Sequence, residues 1–318
     1  MVLLEIENLT TDFLTSHGAT NAVDDVSFDV SHGELVGLVG ESGAGKSVTG
    51  LSILGLVSKP GVVSDGSTVS WKGEDLTEKS DREMDAIRGN EIAWVPQDPL
   101  SALNPTSTVG TQLKRAMKIH NYGTDAEIHQ RAVDLLEEVG IPDAENRLDE
   151  YPHEYSGGMR QRVLIAIALS CEPDLIIADE PTTALDVLIQ AQIIQLLERL
   201  VEERDTALIF ISHDLGLVAE ICNRVMVMYA GRVVESARTD SLFDQPLHPY
   251  TEALMQCSPN LLRGDRLNTI PGSVPSGSDY PSGCRFHPRC PKAMDECIEF
   301  EPELREEGDD REVSCFLY

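Results

Sequence analysis

Three short apolar runs with no polar face stand out along the chain: Leu35 to Val39, Leu175 to Ala178, and Ala207 to Ile211. A strand that is apolar on both sides is buried on both sides, as happens in a parallel sheet covered by helices. Ile92 to Val95 reads as a further short buried strand. Residues 3 to 30 alternate instead, notably Val2 to Ile6 and Val26 to Val30, around a polar turn at Ser16-His17-Gly18, and predict an N-terminal β-rich layer. Between these segments the spacing becomes helical. Val48 to Leu56 predicts a helix that ends at Lys59-Pro60-Gly61, and residues 110 to 172 form a mostly helical stretch. Within that stretch Thr124 and Glu127 make a capping box, Ile128, Ala132, Leu135, Leu136 and Val139 follow on one face, and Gly140 closes the helix. A second helix runs from Ser156 through Val163 to Leu169. Thr182-Thr183-Ala184-Leu185-Asp186 leads into a third, whose apolar face is Ile193, Leu196, Leu197, Leu200 and Val201.

Polar chemistry gathers where the apolar runs end. Leu35–Val39 is followed by Gly40-Glu41-Ser42-Gly43-Ala44-Gly45-Lys46-Ser47, which fits the phosphate-loop pattern. Gly40, Gly43 and Gly45 let the backbone, with Ser42 among them, turn several N–H groups toward one anion, and the following helix aims its positive end at the same place. Lys46 is a mobile cation for the β- and γ-phosphates, and the Ser47 hydroxyl suits one coordination position on Mg²⁺. Gln97 follows the Ile92–Val95 run as a candidate ligand for metal or water. The run from Leu175 ends in Asp179, placed to hold Mg²⁺ through water, and Glu180, placed to polarise an attacking water. The run to Ile211 ends in His213. A single such histidine reads as structural, but a third polar group at a strand end reads as catalytic.

Bulk composition narrows the classes. At 318 residues the chain accommodates two domains, or one large α/β domain with an appendage. The net charge of −29 disfavours nucleic acid, and only seven of the 25 cations are lysine, as suits a halophile-like acidic protein in a salt-rich cytoplasm. An ordinary acidic soluble protein is the alternative. The first residues lack a basic leader, and no stretch approaches the roughly 18 uninterrupted apolar residues of a membrane span. The expectation is a chain neither secreted nor embedded.

The phosphate loop, Gln97, the helix start at Ser156-Gly157-Gly158-Met159-Arg160, Asp179-Glu180, Asp186 and His213 occur in an order that resembles the ATP-binding-cassette ATPases. Longer strings resemble the ATPase subunits of dipeptide and oligopeptide importers: Gln97 to Pro105, Tyr151-Pro152-His153-Glu154, Ser156 to Arg162, and His248-Pro249-Tyr250-Thr251. The family's signature is Leu-Ser-Gly-Gly-Gln; here Tyr155 and Met159 stand at its ends. Ser156, Gly157 and Gly158 form a helix start whose free N–H groups and hydroxyl can face an anion with no side chain of the glycines in the way. The resemblance implies that they close over ATP held by a partner's phosphate loop, that Phe13 stacks on the base, and that Asp186 belongs to the nucleotide site. It implies that Ser47, Gln97 and Asp179 handle Mg²⁺, that Glu180 and His213 act on water and the γ-phosphate, and that the chain hydrolyses ATP.

The fold expected is a P-loop α/β core with an N-terminal antiparallel β-subdomain, an inserted helical subdomain at about 98–164, and a small C-terminal cysteine-containing extension. The ATPase domain is expected over 1–240 and the extension over 241–318. The implied partners are two transmembrane permeases, a second ATPase subunit and, through the complex, an extracellular solute-binding protein, with the chain peripheral at the cytoplasmic face of the membrane. The rival is a soluble cassette ATPase working on ribosomes or nucleic acid; a single cassette and the negative charge weigh against it. A binding-only regulatory cassette is disfavoured by the intact Glu180 and His213.

The region 271–283 is rich in Pro, Gly and Ser, and beyond it lie Cys284, Cys290, Cys297 and Cys315. Four thiolates can enclose an iron–sulfur cluster or a zinc ion. The spacings do not match short zinc-knuckle pairs, and the extension that this segment resembles is associated with a [4Fe-4S] cluster. Zinc and unmetallated cysteines are the alternatives. His287 reads as a packing or hydrogen-bonding residue, and Cys171, Cys222 and Cys257 as ordinary core residues.

Overall fold

The computed structural model describes every residue except 17, 184, 259–268, 276, 278 and 309. His17 of the polar turn, Ala184 before the third helix, and Ser276 and Ser278 of the Pro/Gly/Ser-rich region therefore lie outside the described residues. The chain forms two units, Met1–Glu78 with Phe210–Tyr318, and Lys79–Ile209.

In the first unit the alternating N-terminal segment becomes two long antiparallel strands, Val2–Thr15 and Gly18–Ser31, with Leu4 opposite Val30 and Ile6 opposite Phe28. Alternation buries Leu4, Ile6, Val26, Phe28 and Val30 and turns Glu5, Ser27 and Asp29 outward. Thr68–Trp71 pairs antiparallel with the other edge of Val2–Thr15. The Leu35–Val39 strand, buried at all five positions, runs parallel to Arg224–Tyr229. Arg224–Tyr229 turns back as Arg232–Arg238, whose outer edge takes Arg311–Val313 from the far C-terminus. The C-terminal chain is thus stitched into the strand system that presents the phosphate loop.

The helix after that loop is shorter than the sequence predicts. It spans Lys46–Ile53, not to Leu56. Gly55 takes a left-handed φ of 60°, Leu56 N–H donates to Leu51 O at 2.8 Å and Gly55 N–H to Ser52 O at 3.0 Å. That is a Schellman closure, complete before Pro60 is reached.

In the second unit Ile92–Val95 and Leu175–Asp179 are parallel partners, Ile92 opposite Leu175 and Val95 opposite Ala178. Around them lie the helices Val109–Ile119, Asp125–Glu138, Gly157–Ala168 and Val187–Arg204. Thr124 and Glu127 form the expected capping box, and Gly140 closes that helix. The Val187–Arg204 helix buries Ile193, Ile194, Leu196, Leu197, Leu200 and Val201, each worth roughly 1.5–3 kcal/mol on burial. Ala207–Ser212 is buried throughout and carries the chain from the second unit back to the first. Among the described residues no helix is long and apolar enough to cross a membrane. Of the three cysteines expected in the core only Cys222 is there; Cys171 and Cys257 follow helix ends and are half-buried.

Candidate functional site

In the first unit the phosphate loop leaves the Leu35–Val39 strand and enters the Lys46–Ile53 helix, with Gly45 as the helix cap at φ 106°. A side chain at Gly40 would strike the Met228 carbonyl, and a Cβ at Gly45 would stand 2.5 Å from Ala22 O. Glycine is required there by close backbone packing as much as by φ. Ala44 O accepts from Gly231 N–H at 2.9 Å, tying the loop to the turn between its neighbouring strands. Lys46 is buried, and its ammonium donates to Gly40 O at 2.8 Å and Glu41 O at 3.2 Å, so a positive charge stands within the loop. Ser42 and Gly43 are exposed and Ser47 is half-buried. His213 is exposed just past the end of Ala207–Ser212. Phe13 lies half-buried opposite Thr20 and Gly61.

In the second unit Asp179 is buried as the last residue of its strand, and Glu180 follows it with φ 46°. A glutamate in the left-handed region costs about 1–2 kcal/mol, and strain of this kind concentrates at functional positions. The turn aims the Glu180 carboxylate at Gln97, whose Nε2 donates to it at 2.8 Å; Thr183 Oγ1 donates to the same oxygen, also at 2.8 Å. Gln97 and Glu180 are thus brought together, and Thr183 is a member of the pair's surroundings that the sequence did not single out. Ser156 caps the Gly157–Ala168 helix through a bond from Met159 N–H, leaving Gly157 exposed at its tip. Asp186 caps Val187–Arg204 by accepting from Ile189 N–H at 3.0 Å. Tyr155, which departs from the family signature, is buried with its hydroxyl on Arg147 O at 2.7 Å and Arg147 over its ring, and burial raises its pKa.

The C-terminal segment belongs to the first unit. Glu235 is fully buried and accepts from Leu247 N–H at 2.8 Å, His248 N–H at 2.9 Å and Arg311 at 2.8 Å. Tyr229, Tyr250 and Phe286 pack ring to ring at 4.6–5.3 Å. Arg285 reaches Asp24 and the Ala230 carbonyl, with Tyr280 stacked on it at 3.9 Å. All four cysteines line one cavity with His248 and His287. Burial pushes the Cys284 thiol up to about 11, and raises Cys290 and Cys315. His287 Nδ1 lies 2.9 Å from Cys284 O, a backbone contact. Among the described residues no three His, Cys, Asp or Glu side chains surround a single metal-ion position.

A strand, a glycine-rich anion loop and a helix capped at the loop's last glycine define a phosphate-loop NTPase. The chain belongs to the ABC transporter family, whose sequence model matches residues 23–183. The model of the oligopeptide/dipeptide transporter C-terminal region matches residues 234–297. The chain is 51% identical to the oligopeptide transport ATP-binding protein AppD of Bacillus subtilis, over 99% of this chain and 97% of that one. It is 48% identical to the dipeptide transport ATP-binding protein DppD of Escherichia coli, over 99% and 96%. Among solved structures, the dimeric post-hydrolysis ATP-binding cassette MJ0796 bound to ADP and Pi superposes with a TM-score of 0.67 at 26% identity, covering 74% of this chain and 99% of that one. The cbiO1 subunit from Clostridium perfringens gives 0.65 at 26% identity, covering 77% and 91%.

Proposed function

We propose that this chain is the ATP-hydrolysing subunit of an ABC importer that takes up dipeptides or oligopeptides across the cytoplasmic membrane. What carries this reading is a phosphate-loop ATPase continuous with a C-terminal segment of the peptide-transporter type, in one chain half identical to peptide-transport ATP-binding proteins along nearly its full length.

The residues fit Mg-ATP. Loop amides beyond Glu41 that are not already given to the loop's own carbonyls neutralise the phosphates together with the Lys46 ammonium, with Ser42 on the same loop and Phe13 offering a ring to the base. Ser47, Gln97 and Asp179 offer oxygens that would hold Mg²⁺, which would supply charge neutralisation to the phosphates. Glu180, fixed by Gln97 and Thr183, orients the attacking water and takes its proton, and His213 holds the γ-phosphate. Ser156, Gly157 and Gly158 present their amides to the nucleotide bound by a second ATPase subunit, so ATP closes a dimer and its hydrolysis releases it. Asp186 maintains the neighbouring helix start. Two permeases receive that motion, the chain lies peripherally on their cytoplasmic side, and an external binding protein delivers the peptide. The helical part, about 98–164, carries the permease contact.

We also read Cys284, Cys290, Cys297 and Cys315 as the ligands of a [4Fe-4S] cluster. Four thiols on one cavity are soft donors of the kind that would hold such a cluster. When bound, a cluster supplies a one-electron centre and a four-point tie for this segment. The carboxylate surplus fits a salt-rich interior, where screening weakens self-repulsion.

The test is to purify tagged Glu180→Gln protein from detergent-solubilised membranes with ATP and Mg²⁺, without oxygen. Two multi-spanning permeases and a second ATPase are expected with it. Ribosomes or nucleic acid in place of membrane proteins would overturn the transport reading.

A further inference from the structure

Glu41, the second residue of the phosphate loop, is held from three directions. Its carboxylate takes a two-pronged bond from Arg289, Nη1 to Oε2 at 2.7 Å and Nη2 to Oε1 at 3.0 Å. Its backbone N–H donates to the buried Tyr250 hydroxyl at 2.8 Å. Its carbonyl accepts from Lys46 at 3.2 Å and from Ala44 N–H at 3.2 Å. Two of these three fastenings come from the C-terminal segment, 209 and 248 residues away in sequence.

Arg289 is itself fully engaged. Its side chain is 6% exposed; Nε donates to Pro271 O at 2.8 Å, Nη1 also reaches the Tyr229 hydroxyl at 3.3 Å, and the guanidinium lies over the Tyr229 ring. Only a planar fork can serve a bidentate carboxylate, a carbonyl behind it and a ring at once; an ammonium cannot. The backbone N–H of Glu41, given to Tyr250, is withheld from any anion, so the cradle must begin further along the loop. The Glu41 carboxylate sits beside an anion site, where an uncompensated negative charge would repel phosphate. Arg289 cancels that charge.

We propose that Arg289 is a positioning residue of the nucleotide site, acting through Glu41: it fixes the entry of the phosphate loop and neutralises the carboxylate next to the bound triphosphate. Standing one position before Cys290, it ties the loop to the cysteine-bearing segment. The inference rests on the ATP-site reading above.

The test measures the Kd of ribose-labelled fluorescent Mg-ATP on the full-length chain, with the melting temperature recorded alongside. Arg289→Gln is expected to weaken binding about tenfold, equivalent to about 1.4 kcal/mol. Arg289→Lys, which keeps the charge and loses the fork, is expected between wild type and Arg289→Gln, and it serves if Arg289→Gln does not fold. The double variant Glu41→Gln/Arg289→Gln is expected to recover most of the loss because the stranded carboxylate is gone; a purely structural defect would not be rescued by a second change. Lys292→Gln breaks the exposed Lys292–Glu252 pair on the same segment and is expected to leave Kd unchanged. Arg289→Gln and Arg289→Lys both within twofold of wild type, or a double variant no better than Arg289→Gln, would overturn the proposal. Failure of the wild-type chain to bind labelled ATP at all would instead remove the ATP-site reading beneath it.

Discussion

Adjacent glycines at the Gly157–Ala168 helix start separate what the fold needs from what the reaction needs. A methyl group added at Gly157 would meet only Leu185 Cδ2, at 3.7 Å, an ordinary contact, and Gly157 is exposed. One added at Gly158 would stand 2.5 Å from Ile189 Cγ2 on the Val187–Arg204 helix. Gly157→Ala therefore leaves stability unchanged or raises it by up to roughly 1 kcal/mol, because alanine is the better helix former. Gly158→Ala overpacks a buried contact and costs roughly 1–3 kcal/mol. Function is expected to run the other way for the first residue. If the helix tip accepts the phosphates held by a second subunit, the Gly157 methyl occupies the space through which they approach the amides, and ATP turnover falls more than tenfold while the chain melts like wild type. The assay is phosphate release by the assembled transporter, with thermal melting of the isolated subunit beside it. Turnover of Gly157→Ala within twofold of wild type would refute the view that this tip faces a nucleotide, because among the described residues only Leu185, at an ordinary contact distance, meets the added methyl.

Three further outcomes follow from the geometry. Glu180→Gln keeps an acceptor for Gln97 and Thr183 but cannot take a proton, so ATP binding should persist while turnover drops at least about 100-fold; wild-type phosphate release by the variant would remove Glu180 from the base role. Glu235→Ala strands the Arg311 guanidinium, 11% exposed, and two buried amides; a loss of about 3–5 kcal/mol, seen as a lower urea midpoint and earlier proteolysis of the C-terminal segment, is the expected result. Protein purified without oxygen should carry iron and acid-labile sulfide that Cys284→Ser loses, and zinc in their place would exclude the cluster.

Local chemistry was readable because it repeats a local rule. Leu175 to Ala178 is apolar on both faces and is buried at every position, and Thr124 with Glu127 caps the helix that their spacing predicts. Where two local signals competed, the nearer one won: Pro60 marked the end of the first helix in the sequence, yet Gly55 had already supplied the left-handed residue that a Schellman closure needs. Cysteine burial could not be read from residue type. Cys171 and Cys257 sit just past helix ends and are half-buried, whereas Cys222 packs beside Gly37.

The support of the loop was illegible for a different reason. Glu41 falls at a variable position of the phosphate-loop pattern, and Arg289 falls between cysteines that draw attention to themselves; neither residue carries a periodicity, and 248 residues separate them. What joins them is the path of the chain. Arg311–Val313 pairs with Arg232–Arg238, buried Glu235 gathers the amides of Leu247 and His248, and the Tyr229–Tyr250–Phe286 cluster sets the segment against the strand beside the loop. Once these fix the segment, the Arg289 fork meets the Glu41 carboxylate. On the proposal above the extension braces the phosphate loop through Arg289 and Tyr250, and substitutions at these two positions should register first in nucleotide affinity.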